Sequence, residues 1–197
     1  MAFIDTTGGQ SDTEAAQRLR AQDTAAAGYL PNYSATLTVR PEVYAAWKAL
    51  LGAIRTHMDM YRYELATVAA ASALRSSYCT LAHGEILAEQ FLPAEVVGAL
   101  ASSGDAVDRP LTDADRAVVA YARKVALHAD QVSQADIDEL RAHGLADDEI
   151  LDVALAAAAR CFFSKTLDAT GTLPDARFQS LAPALRDALT VGRPISE

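Results

Sequence analysis

Hydrophobic residues recur with a helical period along most of the chain. Between residues 41 and 51 the apolar positions come every three or four residues, and Pro41 suits the first helical position because its φ angle is already helical. Residues 65–74 are almost all small or apolar, enough for a buried helix and too few for a membrane span. Strand-like alternation with β-branched residues is scarcely present. The pattern predicts an all-α fold.

Capping residues, glycines and prolines predict where the other helices begin and end. A first helix is expected from Ser11 to Gly28, followed by a loop at residues 32–35. The other predicted elements are a helix over 94–100, a loop at 102–105, helices over 112–126, 133–143 and 147–167, and a short helix at 185–189.

One stretch carries the candidate chemistry. It begins at Glu64 and contains Cys79, with His83 four residues further on. Positions four apart share a face of a helix, so the thiol and the imidazole are expected side by side. Ser76 or Ser77 is expected to cap this helix, which leaves Cys79 in the first turn, where the helix dipole favours a thiolate.

An antiparallel helix pair that turns near Arg75 would bring Glu64 towards His83. At about 1.5 Å per residue, Glu64 lies roughly 16 Å from the turn and His83 roughly 10 Å, so a glutamate side chain and one water are expected to bridge them. A carboxylate in reach would favour an imidazolium at His83, which in turn would stabilise the Cys79 thiolate. The alternative is that Glu64 has no role in the site and only begins its helix, where a carboxylate interacts favourably with the positive end of the helix dipole.

Glu64, Ser76, Cys79 and His83 have the spacing of a known motif. The stretch resembles the core of the alkylhydroperoxidase D-like, carboxymuconolactone decarboxylase superfamily, in which a glutamate precedes a Cys-x-x-Cys-x-x-x-His run. By resemblance to its peroxidase-related branch, Cys79 matches the attacking thiol, and His83 and Glu64 match the proton relay. Ser76 stands where that branch has its resolving cysteine. A serine cannot form the disulfide, so the dithiol cycle would be broken.

The resemblance implies an all-α, alkylhydroperoxidase D-like helical domain that forms a homo-oligomer, commonly a trimer or a hexamer. It covers about residues 41–175, within a single domain predicted over 11–197 after a loose segment at 1–10. Laying Glu64 on Glu149 aligns several alanines and one arginine in the following residues. This internal similarity predicts two similar helical halves.

The implied function is that of an antioxidant, thiol-dependent, peroxidase-like oxidoreductase with one active-site cysteine and no cofactor. The Cys79 thiolate would attack a small peroxide and become a sulfenic acid, which an external thiol would reduce. Ser76 and Tyr78 are candidate substrate contacts. Three alternatives stay open: a carboxymuconolactone decarboxylase-like acid-base enzyme acting on a small carboxylated substrate, a non-catalytic ligand-binding oligomer, and a metal site formed by Cys79, His83 and Glu64.

The composition limits which binding partners and which cellular compartment we expect. The formal net charge of -9 disfavours nucleic acid and anionic membranes as partners. The two cysteines, Cys79 and Cys161, are far apart and predict no disulfide framework, and the first residues lack the pattern of a signal peptide. We therefore expect a cytoplasmic protein with no membrane span. Cys161 and Trp47 lie among apolar residues at helical spacing and are expected in the core.

Overall fold

The computed structural model describes residues 2–103 and 111–197. Within these ranges the chain forms α-helices and no β-strand, which confirms the all-α prediction. No helix in the described ranges combines the length and the apolar character needed to cross a bilayer. The helices are α1 (Glu14–Ala27), α2 (Asn32–Leu37), α3 (Pro41–Arg55), α4 (Met60–Ala73), α5 (Ser77–Gln90), α6 (Ala94–Ser103), α7 (Asp113–His128), α8 (Gln134–Ala142), α9 (Asp147–Ala169) and α10 (Pro183–Leu189).

Helix α4 lies at the centre of the fold. Every residue from 63 to 72 is buried, and the helix packs against α5, α7 and α9. Most of these residues have small side chains, so the neighbouring helices can approach closely. Larger members such as Leu65 and Val68 each contribute roughly 1.5–3 kcal/mol through their burial. The central position of α4 holds α5 and α9 on either side of the candidate site.

The turn between α4 and α5 fixes the relative position of these two helices. Arg75 has a φ of 57°, in the left-handed region. The Ser76 N–H donates to the Ala71 carbonyl at 3.0 Å, and the Arg75 N–H donates to the Ser72 carbonyl at 3.0 Å. These two bonds form the Schellman pattern that ends many helices, here with arginine in place of the usual glycine.

The C-terminal tail packs on this turn. The Gly192 N–H donates to the Ser77 Oγ at 2.7 Å. A Cβ atom at Gly192 would lie 2.0 Å from the Arg75 carbonyl oxygen, so no larger residue fits without displacing the backbone. The tail therefore holds the start of α5, and with it Cys79, in place.

Most predicted helix boundaries agree with the structure. Pro41 is the first residue of α3, Gly28 ends α1 in the left-handed conformation, and Thr112 forms a capping box with Asp115. These residues act through local chemistry, either a fixed φ, the absence of a Cβ or a side-chain hydrogen bond. That is why the sequence alone revealed them.

Two predicted loops differ from the structure. Residues 32–35 belong to α2, so the loop prediction there was wrong; Pro31 precedes the helix, where its missing N–H costs nothing. Ser102, predicted to start a loop at 102–105, is the penultimate residue of α6. Residues 104 and 105 lie outside the described ranges.

Phe3, which belongs to the segment predicted to be loose, packs at the end of α9. The Phe3 N–H donates to the Thr170 carbonyl at 2.7 Å, and the Arg193 guanidinium lies 4.9 Å from the centre of the Phe3 ring. The limits of the loose segment and the similarity of the two helical halves stay predictions.

Candidate active site

The fold brings Cys79, His83 and Glu64 together. Cys79 is the third residue of α5, and His83 lies one turn later on the same helix. The His83 Nδ1 is 2.6 Å from the Glu64 Oε2 on α4, a direct hydrogen bond. The bridging water expected from the helix geometry is therefore not needed, because the two helices bring the side chains closer than the axial estimate implied.

Glu64 does not open its helix. Helix α4 begins at Met60, after Asp59 caps it, so Glu64 lies a full turn inside and is 1% exposed. The explanation of Glu64 as a residue that only complements the helix dipole is therefore wrong. A buried carboxylate requires a hydrogen-bond donor, and His83 provides one.

Arg160 on α9 completes the cluster and was not predicted. Its side chain is buried, with the residue 3% exposed. The Arg160 Nη1 lies 3.0 Å from the His83 Nε2 and 3.7 Å from the Cys79 Sγ. The guanidinium also lies over the Phe163 ring, 5.4 Å from its centre. The thiol and the imidazole therefore share one cationic donor nitrogen.

This contact defines the protonation of His83. A guanidinium only donates hydrogen bonds, so the His83 Nε2 accepts, and the ring proton lies on Nδ1 and is donated to Glu64. Burial lowers the pKa of His83 below its ordinary value; the Glu64 carboxylate opposes this shift and the Arg160 guanidinium adds to it. The imidazole is thus neutral, lying between a carboxylate and a guanidinium. The imidazolium expected from the sequence is disfavoured.

The serines at the start of α5 do not have the expected capping role. Ser76 is the N-cap residue, but its hydroxyl accepts no hydrogen bond from the first turn. The Ser77 hydroxyl accepts from Gly192 instead. Neither serine lines the pocket beside Cys79, so the geometry gives no support for Ser76 as a substrate contact.

A pocket of about 260 Å³ opens beside Cys79. It is slightly smaller than the roughly 300–1,000 Å³ of sites for drug-sized ligands, which favours a small molecule. Cys79, His83 and Arg160 lie in its wall. Most of the remaining wall is aromatic and comes from Tyr33, Tyr44, Trp47, Tyr78 and Phe163.

Tyr78 lines this pocket with its ring. Its hydroxyl donates to the Asp175 Oδ2 at 2.5 Å and accepts from the Tyr33 N–H at 3.3 Å. Burial raises the pKa of Tyr78 well above its ordinary value, and the Asp175 charge adds to the effect. Tyr78 is therefore a neutral phenol whose hydroxyl is already engaged, and only its ring is available to a substrate.

Cys161 is not part of the site. It is partly buried, its Sγ lies 3.7 Å from the Ala126 carbonyl, and it does not line the pocket. Burial raises the pKa of its thiol. Within the described ranges, no group of three or more His, Cys, Asp and Glu side chains is arranged to hold a metal ion. At Cys79 and His83, the Arg160 guanidinium lies where such an ion would approach both side chains.

Solved structures with the same architecture include two uncharacterized peroxidase-related proteins. One, from Ralstonia eutropha JMP134 and described as an alkylhydroperoxidase AhpD core, has 23% identity, a TM-score of 0.78 and coverage of 98% of both chains. The other, from Silicibacter sp. TM1040, has 20% identity, a TM-score of 0.80 and coverage of 91% of this chain and 94% of its own.

A third similar structure is the C82A variant of the debrominase Bmp8 in complex with 2,3,4-tribromopyrrole. It has 19% identity and a TM-score of 0.68, over 92% of this chain and 93% of its own. No protein-family model matches the sequence, and no protein of curated function matches it. At these identities the similarities establish the fold.

Proposed function

From the alkylhydroperoxidase D-like fold of this chain, we propose that it is a one-cysteine oxidoreductase that reduces small organic hydroperoxides. Cys79 is the nucleophile, Arg160 stabilises its thiolate, and His83 with Glu64 moves the proton. The observation that carries the proposal is the Arg160 Nη1, which lies within reach of both the Cys79 Sγ and the His83 Nε2 in the pocket wall.

The position of Arg160 suits a thiolate. A charged donor forms stronger hydrogen bonds to an anion than a neutral donor does, and a buried site screens the attraction less than water. The start of α5 adds the positive end of its dipole, and no acidic side chain lies in its first turn. Both effects act at the sulfur itself, whereas a neutral His83 contributes no charge.

The chemical step forms one bond and breaks another. The Cys79 thiolate attacks the terminal oxygen of the hydroperoxide, an S–O bond forms, the O–O bond breaks, and Cys79 becomes a sulfenic acid. The alkoxide that leaves takes a proton and departs as an alcohol. As the Arg160 N–H shifts from the His83 Nε2 to the sulfur, Nε2 accepts the thiol proton and then passes it to the alkoxide. Glu64 accepts the hydrogen bond from the Nδ1–H and stabilises the transient imidazolium.

Regeneration requires an external thiol. Ser76 cannot resolve the sulfenic acid, and the only other cysteine, Cys161, lies outside the pocket. One external thiol would displace water from the sulfenic acid to form a mixed disulfide, and a second would release the Cys79 thiol and a free disulfide. Low-molecular-weight thiols of a reducing cytoplasm fit this role.

Turnover measurements test the substrate and the roles of Cys79, Cys161 and His83. Purified protein is assayed with hydrogen peroxide, tert-butyl hydroperoxide and cumene hydroperoxide, using monothiol and dithiol reductants. We expect the aromatic hydroperoxide to be preferred, because the pocket wall is aromatic. Cys79→Ser should abolish turnover and Cys161→Ser should leave it intact. His83→Gln should lower kcat by about 10²–10⁴-fold, the usual contribution of a general acid-base group.

Turnover that survives Cys79→Ser would contradict the proposal. It would favour the carboxymuconolactone decarboxylase-like alternative, in which acid-base residues do the chemistry. Ligand binding without any turnover would favour the non-catalytic alternative.

The aromatic pocket supports a second candidate function, reductive removal of a halogen from a small ring. The similarity to the debrominase Bmp8 motivates it. In such a step the Cys79 thiolate would take the halogen as a sulfenyl halide while the ring carbon takes a proton, and two external thiols would release halide and restore the thiol. Halide release from 2,3,4-tribromopyrrole, dependent on Cys79 and absent in Cys79→Ser, separates this activity from peroxide reduction.

A further inference from the structure

The pocket beside Cys79 contains a second polar cluster, formed by α1 and α3. Asp23 on α1 is 4% exposed, and its Oδ2 accepts from the Tyr44 hydroxyl at 2.5 Å. Its Oδ1 accepts from the Lys48 ammonium. All three side chains line the same pocket as Cys79 and Arg160. The mechanism proposed above uses none of them.

Within this cluster, Lys48 is the residue that has N–H donors left for a ligand. Both oxygens of Asp23 are engaged, and Tyr44 uses its single proton on Asp23. An ammonium carries three N–H donors. Among the described residues, Asp23 is the acceptor that Lys48 contacts, and the Lys48 side chain is 36% exposed. What the cluster offers a ligand is therefore a cation with free donors, held in place by a buried carboxylate.

The charge of the pocket wall differs from that of the whole protein. The chain has a formal net charge of -9, but two cationic side chains, Lys48 and Arg160, and one carboxylate, Asp23, line the pocket, and His83 is neutral there. Such a wall favours a ligand with an acceptor group that carries negative charge. The aromatic residues on the remaining wall favour an apolar, ring-containing body.

We propose that the substrate of this site is a small apolar or aromatic molecule that carries a carboxylate, which binds Lys48. The other end of the molecule would then hold its reactive group beside Cys79. Asp23 is a positioning residue that acts through Lys48. This inference rests on the proposed function only for the reactive group, because recognition of the carboxylate does not depend on the chemistry at Cys79.

Trp47 provides the readout. It is the only tryptophan of the chain and lines the pocket, so its fluorescence reports on ligands there. The probes are benzoate and its uncharged analogue benzamide, titrated into the wild type, Lys48→Met, Lys48→Arg and the control Lys165→Met. Lys165 is exposed on α9 and does not line the pocket.

In the wild type, benzoate should bind about 10-fold or more tightly than benzamide, as expected for a charge-assisted hydrogen bond. Lys48→Met should weaken benzoate to the level of benzamide and leave benzamide unchanged. Lys48→Arg should keep the preference, and Lys165→Met should match the wild type. Equal affinities for the two probes, no benzoate binding, or a preference that survives Lys48→Met would overturn the proposal.

Two variants keep the test interpretable. Lys48→Met leaves Asp23 buried without its cation, so the double variant Lys48→Met/Asp23→Asn removes both charges and should show the same loss of benzoate preference. Cys79→Ser removes the reactive thiol and should retain the preference. If hydroperoxide turnover fails while benzoate binding depends on Lys48, the proposed function is wrong and the present inference stands. If the protein reduces hydroperoxides but benzoate binding does not depend on Lys48, the proposed function stands and the present inference is wrong.

Discussion

The Arg160 Nη1 lies 3.0 Å from the His83 Nε2, across a gap of 77 residues in the sequence. Because arginine only donates, this contact holds His83 as a neutral imidazole with its proton directed at Glu64. The positive charge beside Cys79 is therefore that of the Arg160 guanidinium and not that of a His83 imidazolium. The reactivity of the thiol should therefore depend more on Arg160 than on His83.

We expect Arg160→Met to slow iodoacetamide labelling of Cys79 at neutral pH by about 10–100-fold. The basis is the loss of a hydrogen bond to a charged group, worth roughly 1.5–3 kcal/mol. Arg160→Lys should lose less, because it keeps the charge. Rates are measured by mass spectrometry with Cys161→Ala in every background.

The matched control is Arg18→Met, since the Arg18 side chain is 66% exposed and does not line the pocket. Equal labelling rates in Arg160→Met and Arg18→Met would show that the guanidinium does not activate the thiol.

The buried, neutral His83 should make stability depend on pH. Its pKa is lowered in the folded state from about 6.5, so below pH 6.5 the unfolded chain binds a proton that the folded chain excludes. Stability should therefore fall as the pH drops below about 6.5, by at most about 1.4 kcal/mol per pH unit from this residue. Chemical denaturation at pH 5, 6, 7 and 8 measures the effect.

In His83→Gln this part of the pH dependence should disappear. The exposed His143, replaced in His143→Gln, is the control and should behave as the wild type. Parallel profiles for the wild type and His83→Gln would mean that His83 takes up its proton equally in both states.

Features that depend on local chemistry could be predicted from the sequence, whereas contacts between residues far apart in the sequence could not. Pro41 and Thr112 reveal helix starts because they act within one turn, and Cys79 and His83 lie close in sequence. Arg160 lies on another helix, 77 residues after His83, and no local motif links it to the site. The sequence did contain one indication of its role. Arg160 lies beside Cys161-Phe-Phe in a helix that is expected to be buried, and a buried guanidinium needs hydrogen-bond acceptors.

The Asp23 and Lys48 pair was hidden for a similar reason. Each lies on an amphipathic helix among other charged residues, and nothing local distinguishes it from a solvent-exposed side chain. Only the packing of α1 against α3 shows that they meet in the pocket.

Ser76→Cys should install a redox-active disulfide with Cys79. The two positions are the N-cap and the third residue of α5, the arrangement of a Cys-x-x-Cys motif at a helix start, and both are buried. The Ser76 hydroxyl makes no capping hydrogen bond that the substitution would remove. Turnover with dithiol reductants should rise. Thiol counting after oxidation is the measurement, and two free thiols at 76 and 79 would show that the geometry does not permit the bond.

The protein should self-associate through an apolar groove of about 510 Å³ between α3 and α9. Val43, Leu50, Leu155 and Phe162 line it and are 40–52% exposed, a cluster that is unusual on a monomer surface. Leu50→Glu should lower the mass in solution at micromolar concentration. Leu127→Glu, equally exposed on α7 outside the groove, should not. A monomeric wild type would contradict this expectation, and with it the implied trimer or hexamer.

The central claim is that Cys79 is the single oxidised residue of a one-cysteine cycle and that Arg160 activates it. The most direct measurement is trapping of the sulfenic acid with dimedone after one equivalent of cumene hydroperoxide, followed by peptide mass spectrometry of the wild type, Cys79→Ser and Arg160→Met. We expect the adduct at Cys79 alone, none in Cys79→Ser and a much slower appearance in Arg160→Met. An adduct confined to Cys161, or equal rates in the wild type and Arg160→Met, would contradict the account.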